Sequence, residues 1–422
     1  MSRPDGSDWR QTLFSKRTLG VRFGLEGVQR VDEALGRPAS HLAPVQVLGT
    51  NGKGSTASML AHALSRNGER VGLYTSPHLH RVGERVRIDG VPVDDDEIRR
   101  AVREVQAAEK VSGRELTFFE LLTLAAWCIF DRVGVDRVVL EAGLGGRLDA
   151  TSARTPCLQL FTAVGMDHQA YLGDTVEAIA DEKFAVVRGG VPVLSAPQLP
   201  SVAERLVRRC AEANTSLRFV EASAWAPLPG PHQRINCALA LAGWEQLSGR
   251  DGVPMLEAPS PAELFAGYRW PGRLESVESG AGEIVFDVAH NLPGVEAIVE
   301  ALQPQPPDLV IFGTMGDKPA TEMAARLGTL GAPMWWVPPA SDGEARERPV
   351  EVSFARSFDD GVEDPAFVAA LDELLETGLR VLVCGSHFLV APLRARALGL
   401  GAGDEDPMRL SDPVGRSGPT KG

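Results

Sequence analysis

The sequence has few cysteines, no long apolar run and no excess of positive charge, and each shortage excludes a class of protein. Its five cysteines include no CxxC pair, so we expect reduced thiols and neither a disulfide framework nor a zinc site. No apolar run approaches the ~20 residues of a membrane span, and the polar N-terminus lacks the apolar core of a signal peptide. We therefore expect a cytoplasmic protein.

The charge balance is acidic. The chain has 43 basic and 56 acidic residues, a net charge of −13, which argues against nucleic-acid or anionic-membrane partners. Local basic sites for an anionic substrate remain compatible with this balance. The length of 422 residues suggests two or three domains, and 44% hydrophobic residues suffice for a sizeable core.

Apolar β-branched runs alternate with helical patterns along most of the chain, which predicts an α/β fold. We expect a boundary near the segment YRWPGR (268–273), after which the alternation restarts. The predicted units are an N-terminal domain at 1–270 with a parallel-type sheet, a smaller α/β domain at 271–400 and a flexible tail at 401–422. Strands are predicted at 45–48, 71–74, 137–140, 158–164, 284–286, 309–312, 334–337 and 381–384, and a buried helix at 118–133.

The strongest local signal is a glycine-rich loop, GTNGKGS, at 49–55 between a predicted strand and a predicted helix. Glycines let backbone N–H groups surround phosphate oxygens, and the helix N-terminus adds its dipole. Lys53 supplies positive charge, and Ser55 offers a hydroxyl to Mg²⁺. The loop is one residue shorter than the common GxxxxGK[ST] form. The alternative interpretation is a plain glycine-rich turn with a surface lysine.

Three further residues are candidates for metal binding. Glu141 ends a predicted strand and is followed by glycines, although a solvated strand end is the alternative. His168 follows the next strand, where a histidine is more often structural. Lys183 falls on the apolar stripe of a predicted helix. Burial there would lower its pKa and allow a carbamate to form with CO2, whereas the simpler alternative is a lysine at the edge of the stripe.

Taken together, these segments resemble the folylpolyglutamate synthase/dihydrofolate synthase family of the Mur ligase superfamily. The matching stretches span most of the chain in the family's order: VLGTNGKGST (47–56), YTSPHLHRVGERVRIDG (74–90), FFELLTLAAWCIF (118–130), VLEAGLGGRLDAT (139–151), DHQAYLGDTVEAIADEK (167–183), PHQRINCALA (231–240), YRWPGRLE (268–275), FDVAHN (286–291) and VCGSHFLV (383–390). The resemblance implies an N-terminal P-loop ATPase domain, a smaller Rossmann-like C-terminal domain and ATP in the cleft between them.

The resemblance also assigns roles to individual residues. It implies a nucleotide site formed by Gly49, Thr50, Asn51, Gly52, Lys53, Gly54, Ser55, Thr56, Asn236, Arg273 and Asp287. It implies two Mg²⁺ sites held by Ser55, Glu141, His168 and a carbamylated Lys183, and it allows a monovalent cation. The catalytic residues would be Lys53, Lys183 and His290. The pteroate or folate pocket would be lined by Ser76, Pro77, His78, Arg81, Arg85, Phe119 and Asp149.

The reaction implied is ATP-dependent formation of an amide between L-glutamate and dihydropteroate, folate or both, through an acyl phosphate, by a monomeric enzyme. Two departures from the family pattern are visible: Phe184 replaces a small residue beside Lys183, and Pro319 replaces the final acid of a DKD-type turn. The alternatives are another Mur-type amide ligase, a nucleotide-binding protein without catalysis and a P-loop kinase. Only about 45 residues precede the phosphate loop, too few for the extra uridine-binding domain of cell-wall Mur ligases.

Overall fold

The computed structural model describes residues 9–16, 24–248, 259–339, 348–349 and 351–400. The predicted tails at 1–8 and 401–422 lie outside these ranges. The chain forms two mostly parallel β-sheets covered by helices, which confirms the predicted α/β class. The last strand of the first sheet ends at Phe219, and the first strand of the second begins at Glu275. The domain limits 1–270 and 271–400 themselves stay a prediction.

The first sheet has eight strands: β1 (Val45–Leu48), β2 (Val71–Tyr74), β3 (Val86–Ile88), β4 (Val91–Pro92), β5 (Arg137–Glu141), β6 (Leu158–Phe161), β7 (Val193–Ser195) and β8 (Leu217–Phe219). Their order is β4-β3-β2-β5-β1-β6-β7-β8, parallel except for the β2–β3 and β3–β4 pairs. The central strand β1 pairs with β5 on one side and β6 on the other. The carboxyl ends of these three strands therefore meet at one edge.

Helices cover both faces of this sheet: α1 (Trp9–Ser15), α2 (Glu26–Ala34), α3 (Lys53–Arg66), α4 (Asp95–Ser112), α5 (Phe118–Val133), α6 (Gln169–Leu172), α7 (Val176–Phe184), α8 (Pro200–Glu212) and α9 (Pro231–Ser248), with α10 (Pro261–Leu264) following. Helix α5 is apolar almost throughout and buried, as predicted. It begins at a capping box in which Thr117 and Glu120 each accept from the other's backbone N–H. Gly134, with φ of 68°, ends it.

The second sheet has six strands: β9 (Glu275–Ser279), β10 (Gly282–Phe286), β11 (Leu309–Phe312), β12 (Met334–Trp336), β13 (Arg356–Ser357) and β14 (Arg380–Cys384). Their order is β13-β12-β11-β14-β10-β9, parallel except for β9–β10. The helices α11 (Leu292–Leu302), α12 (Ala320–Gly328), α13 (Pro365–Leu375) and α14 (His387–Ala397) cover its two faces. Strands β11, β14 and β10 are adjacent, so their carboxyl ends also meet at one edge.

Each predicted strand is present, with differences only at its ends, whereas the sequence pattern did not predict the short or edge strands β3, β4, β7, β8, β9 and β13. The strand expected at 158–164 stops at Phe161, because residues 162–165 leave the sheet to contact the loop after β1. All five cysteines are free thiols in the structure. Among the described helices, none combines the length and apolar character that crossing a membrane requires.

Candidate active site

The glycine-rich loop joins β1 to α3 and depends on two glycines. Gly49 has φ of 135°, and a Cβ there would lie 2.0 Å from Thr162 Oγ1. Gly52 has φ of 87°, and a Cβ there would lie 2.3 Å from Asn236 Oδ1. Side chains are excluded at both positions by backbone conformation and by space. The second contact brings Asn236, predicted as a nucleotide contact, directly against the loop.

The start of α3 is open to an anion. Its N-cap is Gly52, and no side chain caps the first turn, so the backbone N–H groups there are available to phosphate oxygens. Lys53 lies at this end and donates from Nζ to the Thr50 carbonyl at 2.9 Å. The hydroxyls of Ser55 and Thr56 are buried and have no hydrogen-bond partner among the described residues. Such orphaned hydroxyls are expected where a ligand or ion completes the site.

Glu141, the last residue of β5, points at the same loop. A Cβ on Gly54 would lie 3.3 and 3.4 Å from its two carboxylate oxygens. Glu141 is 5% exposed, so it is not a solvated strand end, and its Oε2 accepts from the Ser76 N–H at 2.9 Å. Burial raises the pKa of Glu141, against the lowering effects of Lys53 and the Ser76 N–H. A divalent cation bound to the carboxylate would compensate for the loss of water around its negative charge.

His168 follows β6 and N-caps α6 with φ of 51°. Its Nδ1 is buried and unpartnered among the described residues, and its backbone N–H donates to Asp167 Oδ1 at 2.9 Å. Burial lowers the pKa of His168 to about 4, so at neutral pH the imidazole is uncharged and can act as a ligand. The left-handed backbone holds the ring near Lys53 and Asp167, whose charges act on it.

Lys183 lies on α7 and is 4% exposed, which excludes a position at the edge of the apolar stripe. Burial lowers its pKa to about 7, with Lys53 adding repulsion. No hydrogen bond or ion pair holds its amine within the described part of the chain. The neighbouring Phe184 packs edge-on against Phe161 with ring centroids 5.1 Å apart, so this departure from the family pattern fills the core beside Lys183.

The candidate ligands Ser55, Glu141 and His168 suit Mg²⁺, which also binds substrate phosphates and water, better than they suit a metal that is bound by protein side chains alone. No cluster of three or more His, Cys, Asp or Glu side chains suited to a metal occurs in the described ranges. The candidate ligands are instead one carboxylate, one hydroxyl and one imidazole beside a phosphate-binding loop. Mg²⁺ is commonly bound by one or two carboxylates, with waters and substrate phosphates completing the shell.

The second sheet contributes residues from the loop after β10. Asp287 is buried and accepts the backbone N–H groups of Leu274 and Ala289, at 2.9 and 2.8 Å, while burial raises its pKa. Arg273 lies close enough for its charge to act on both Asp287 and Glu141. His290 holds Nδ1 3.0 Å from the Val288 carbonyl, and its ring lies 5.5 Å from that of His387.

A hydrogen-bonded cluster joins the two sheets. Asn51 and Asn291 exchange amide hydrogen bonds, both at 3.0 Å. Asn291 also donates to Asp167 Oδ2 at 2.9 Å, and Lys318 donates to Asp167 Oδ1 at 2.8 Å. Burial opposes ionisation of Asp167, yet its pKa lies well below the usual range because His290, His168 and Lys318 surround it. Pro319, the second departure from the family pattern, N-caps α12 beside this cluster.

The residues predicted for the acid substrate surround the loop after β2. Ser76 contacts Glu141, as described above, and the Ser76–Pro77 peptide bond is cis. Arg85 is buried, donates from Nε to His78 Nδ1 at 2.8 Å and lies over the Phe118 ring at 5.0 Å. Arg81 is exposed, whereas Arg85 and His78 are buried.

Phe119 and Asp149 meet at Gly143, where a Cβ would lie 2.7 Å from the Phe119 ring and 3.2 Å from Asp149 Oδ2. Asp149 is fully occupied by its own loop. Its Oδ2 accepts from the Gly143 and Leu144 N–H groups and its Oδ1 from Thr151. The carboxylate therefore organises the loop that lies beneath Phe119.

A pocket lies between the two sheets, and several of its residues were not singled out from the sequence. We call it the interdomain pocket; it is lined by Gly54, Thr75, Ser76, Pro77, His78, Leu79, Glu84, Arg87, Glu141, Trp270, Pro271, Arg273 and His387. Arg87 is half-buried and stacks on Trp270. The segments YRWPGRLE and VCGSHFLV carried the only sequence signal for Trp270 and His387.

Comparison with known proteins identifies relatives of this chain. The sequence model described as "Mur ligase, glutamate ligase domain" matches residues 272–387. The folylpolyglutamate synthase of Lacticaseibacillus casei is 31% identical over 400 residues, which cover 87% of this chain and 92% of that protein. The dihydrofolate synthase/folylpolyglutamate synthase of Escherichia coli is 33% identical over 414 residues, covering 91% and 94%.

The solved structures give the same family. A structure of Escherichia coli FolC in complex with DHPP and ADP superposes with a TM-score of 0.78 at 27% identity. The match covers 94% of this chain and 99% of that one. The similarity therefore extends over both sheets and the cleft between them.

Proposed function

The chain belongs to the folylpolyglutamate synthase/dihydrofolate synthase family of Mur-type ligases, and from this premise we propose how its cleft joins glutamate to dihydropteroate, folate or both. The observation that carries the proposal is the meeting of three groups at one sheet edge: the open N-terminus of α3, the unpartnered Ser55 hydroxyl and the buried Glu141 carboxylate. Together they form a site for a nucleotide phosphate with a divalent cation.

A carboxylate does not react with an amine unaided, because its oxygen is a poor leaving group. We propose that the substrate carboxylate attacks the γ-phosphorus of ATP, releasing ADP and forming an acyl phosphate. The amine of glutamate then attacks the acyl carbon, loses a proton and releases inorganic phosphate. Lys53 and the N–H groups of residues 49–56 stabilise the charge on the transferring phosphoryl group.

Ser55, Glu141 and His168 would hold Mg²⁺ in this site. When bound, the cation supplies Lewis-acid stabilisation of phosphate charge. The residues themselves act as ligands and not as general bases. The lowered pKa of His168 supports this assignment, because a neutral imidazole keeps a lone pair for coordination.

We further propose that Lys183 carries a carbamate. A buried amine with a pKa of about 7 is substantially neutral at physiological pH, and only a neutral amine adds CO2. The added carboxylate would supply anionic ligand oxygens close to Lys53, where the described residues provide no partner for the free amine. A monovalent cation is an additional candidate on resemblance alone.

The second sheet would complete the nucleotide site. Arg273 is proposed to reach phosphate, Asp287 the ribose and Asn236 the nucleotide, with His290 lining the site as a catalytic residue. Asn236 is supported by its position against Gly52 and Arg273 by its influence on Glu141. Ser76, Pro77, His78, Arg81, Arg85, Phe119 and Asp149 are proposed to form the pteroate or folate pocket. Closing the domains around these ligands would exclude water, which otherwise hydrolyses the acyl phosphate.

The experiment is phosphate release with ATP, Mg²⁺ and glutamate, in separate reactions with dihydropteroate and with tetrahydrofolate. Release with both acids means a bifunctional enzyme, and release with dihydropteroate alone restricts the enzyme to dihydrofolate synthesis. ADP formation without inorganic phosphate indicates a kinase. If a folded protein that binds ATP is silent with both acids, the folate assignment is refuted in favour of another Mur-type ligase or a non-catalytic nucleotide-binding protein.

A monomeric state and a cytoplasmic location stay predictions. Light scattering of the purified protein tests the first, and fractionation of the producing cells tests the second.

A further inference from the structure

Arg87 presents a positive charge to the interdomain pocket at a point the proposed roles above leave unused. It lies on β3 opposite Leu73, and its guanidinium stacks on Trp270 with Cζ 4.8 Å from the ring centroid. Its Nε is buried and has no hydrogen-bond partner among the described residues, while Nη1 donates to the Gly90 carbonyl at 3.2 Å. The ring therefore fixes the guanidinium plane while leaving a donor unused.

No carboxylate in the described ranges forms an ion pair with Arg87. Glu84, which also lines the pocket, already accepts hydrogen bonds from the backbone N–H groups of Leu79, His80 and Arg81, at 2.9, 3.2 and 3.2 Å. A charged group removed from water is normally paired. An anionic ligand in the pocket would supply the missing partner.

The position of Arg87 separates it from the reacting centre. In the first sheet β2 lies between β3 and β5, and Arg87 on β3 is opposite Leu73 on β2, which is in turn opposite Val139 on β5. Arg87 therefore lies two strands across the sheet from Glu141, the last residue of β5, and three strands from β1, which leads into the phosphate loop. The pocket is small, with a cavity volume of about 40 Å³, and is partly open to solvent.

Resting on the proposed function, we infer that Arg87, fixed by Trp270, binds the side-chain carboxylate of the incoming glutamate. The α-amine of glutamate must reach the acyl phosphate, which forms beside the phosphate loop and Glu141. The α-carboxylate is attached to the same carbon and stays near that end. Only the side-chain carboxylate extends further, toward Arg87. Dihydropteroate offers no second carboxylate for this position, because its single carboxylate is the one that reacts.

The test compares Arg87→Gln with the wild type, using L-glutamate and L-glutamine as acceptors with dihydropteroate and ATP. Loss of a charge-assisted hydrogen bond is expected to lower kcat/KM for glutamate about 10- to 100-fold, mainly through KM. The KM values for ATP and dihydropteroate, and the low activity with glutamine, should stay unchanged. Preference for glutamate over glutamine therefore falls by the same factor. Arg87→Lys, which keeps the charge but loses the planar fork, should lie between the two.

Arg356→Gln is the matched control, because Arg356 also stacks on a tryptophan, Trp335 at 5.2 Å, on β13 at the far edge of the second sheet. It should leave all kinetic constants unchanged. An Arg87→Gln variant that loses glutamate and glutamine activity equally, or that raises KM for dihydropteroate alone, overturns the assignment. If the wild type is inactive with both folate acids, the proposed function fails. Calorimetry of glutamate binding to the AMPPCP-loaded protein then decides the role of Arg87: equal binding by wild type and Arg87→Gln refutes it, and loss in the variant supports it.

Discussion

Asp167→Asn should strongly destabilise the protein, although it changes one atom in a side chain of unchanged shape. Asp167 is the anion at which the two sheets meet. It accepts from Lys318 at 2.8 Å and from Asn291 at 2.9 Å, both contributed by the second sheet. The side chains of Asp167 and Lys318 are 7% and 9% exposed, so solvent screens their interaction little. The substitution removes the charge that compensates the buried ammonium of Lys318.

The magnitude follows from this burial. Removing one partner of a buried ion pair costs about 3–5 kcal/mol when the other charge is left uncompensated. Because Lys318 keeps the more exposed Asp317 at 3.2 Å as a second partner, we expect a value at the lower end, about 3 kcal/mol. The same cost should appear for Lys318→Met, but the double variant should cost less than the sum of the two. We expect a coupling free energy of about 1–3 kcal/mol between the two positions.

The assay is urea-induced unfolding of the wild type, the two single variants and the double variant, followed by fluorescence of the tryptophans. Asp317→Asn is the matched control. Asp317 pairs with the same lysine at 3.2 Å but is 37% exposed, so its loss should cost less than about 1 kcal/mol. If Asp167→Asn costs no more than Asp317→Asn, or if the two single effects simply add, the buried pair does not hold the sheets together.

The same pair predicts a pH dependence of stability. The pKa of Asp167 is depressed in the folded protein, so its contribution is complete above the unfolded-state pKa of about 4 and is lost as pH falls toward the lower folded value. The Asp167→Asn variant lacks this titration. Below about pH 4, wild type should therefore lose more stability than the variant for the same decrease in pH.

Three further substitutions test the nucleotide and metal sites. Gly52→Ala forces a side chain into a backbone with φ of 87° and against Asn236, so KM for ATP should rise at least about tenfold, whereas Gly68→Ala, at φ of 92° with no atom within 4 Å of the added Cβ, should cost only about 1–2 kcal/mol of stability. Glu141→Gln keeps the shape but removes the anionic ligand, and kcat measured at saturating Mg²⁺ should fall about 100- to 1000-fold; an unchanged kcat would exclude a metal-binding role. Wild-type activity should rise as pH increases through about 7, where Lys183 becomes neutral, and should fall when CO2 is removed from the buffer. Lys183→Ala should lose about 100-fold in kcat and regain part of it with added acetate. If CO2 removal does not affect the wild type and acetate does not affect the variant, the carbamate is refuted.

The phosphate loop and the main strands and helices could be predicted from the sequence because each depends on a short segment. GTNGKGS between a β-branched run and an apolar helix predicts a phosphate loop, since glycine spacing and a helix N-terminus suffice for that function. The strands ending at Leu48, Glu141 and Phe312 and the helix at 118–133 were predicted nearly to the residue, because each is a continuous apolar run bounded by glycine or by polar residues. Helical spacing placed Lys183 among apolar positions but favoured the edge of the stripe, and only the structure shows that its side chain is buried.

Contacts between segments that are far apart in the sequence could not be predicted. Asn51 and Asn291 are 240 positions apart, and Asp167 and Lys318 are 151 apart. The local sequence around each of these residues does not indicate which distant residue it contacts. Arg87 shows the same limit, because its neighbours in sequence suggest a solvated basic stretch, while a tryptophan far along the chain covers one side of it. Pairing across a cleft depends on how the sheets dock and not on local propensity.

The sequence by itself determined the α/β class, the phosphate loop, the candidate ligands and the family to which they belong. Only the tertiary structure decided that the carboxyl edges of the two sheets face one another, so that Glu141 lies against Gly54, Asn236 against Gly52 and Asp167 against Lys318. The physical reason is one of range. Backbone conformation and amphipathic pattern are set within about ten residues, whereas burial, desolvation and charge pairing depend on which surfaces come together when the whole chain folds.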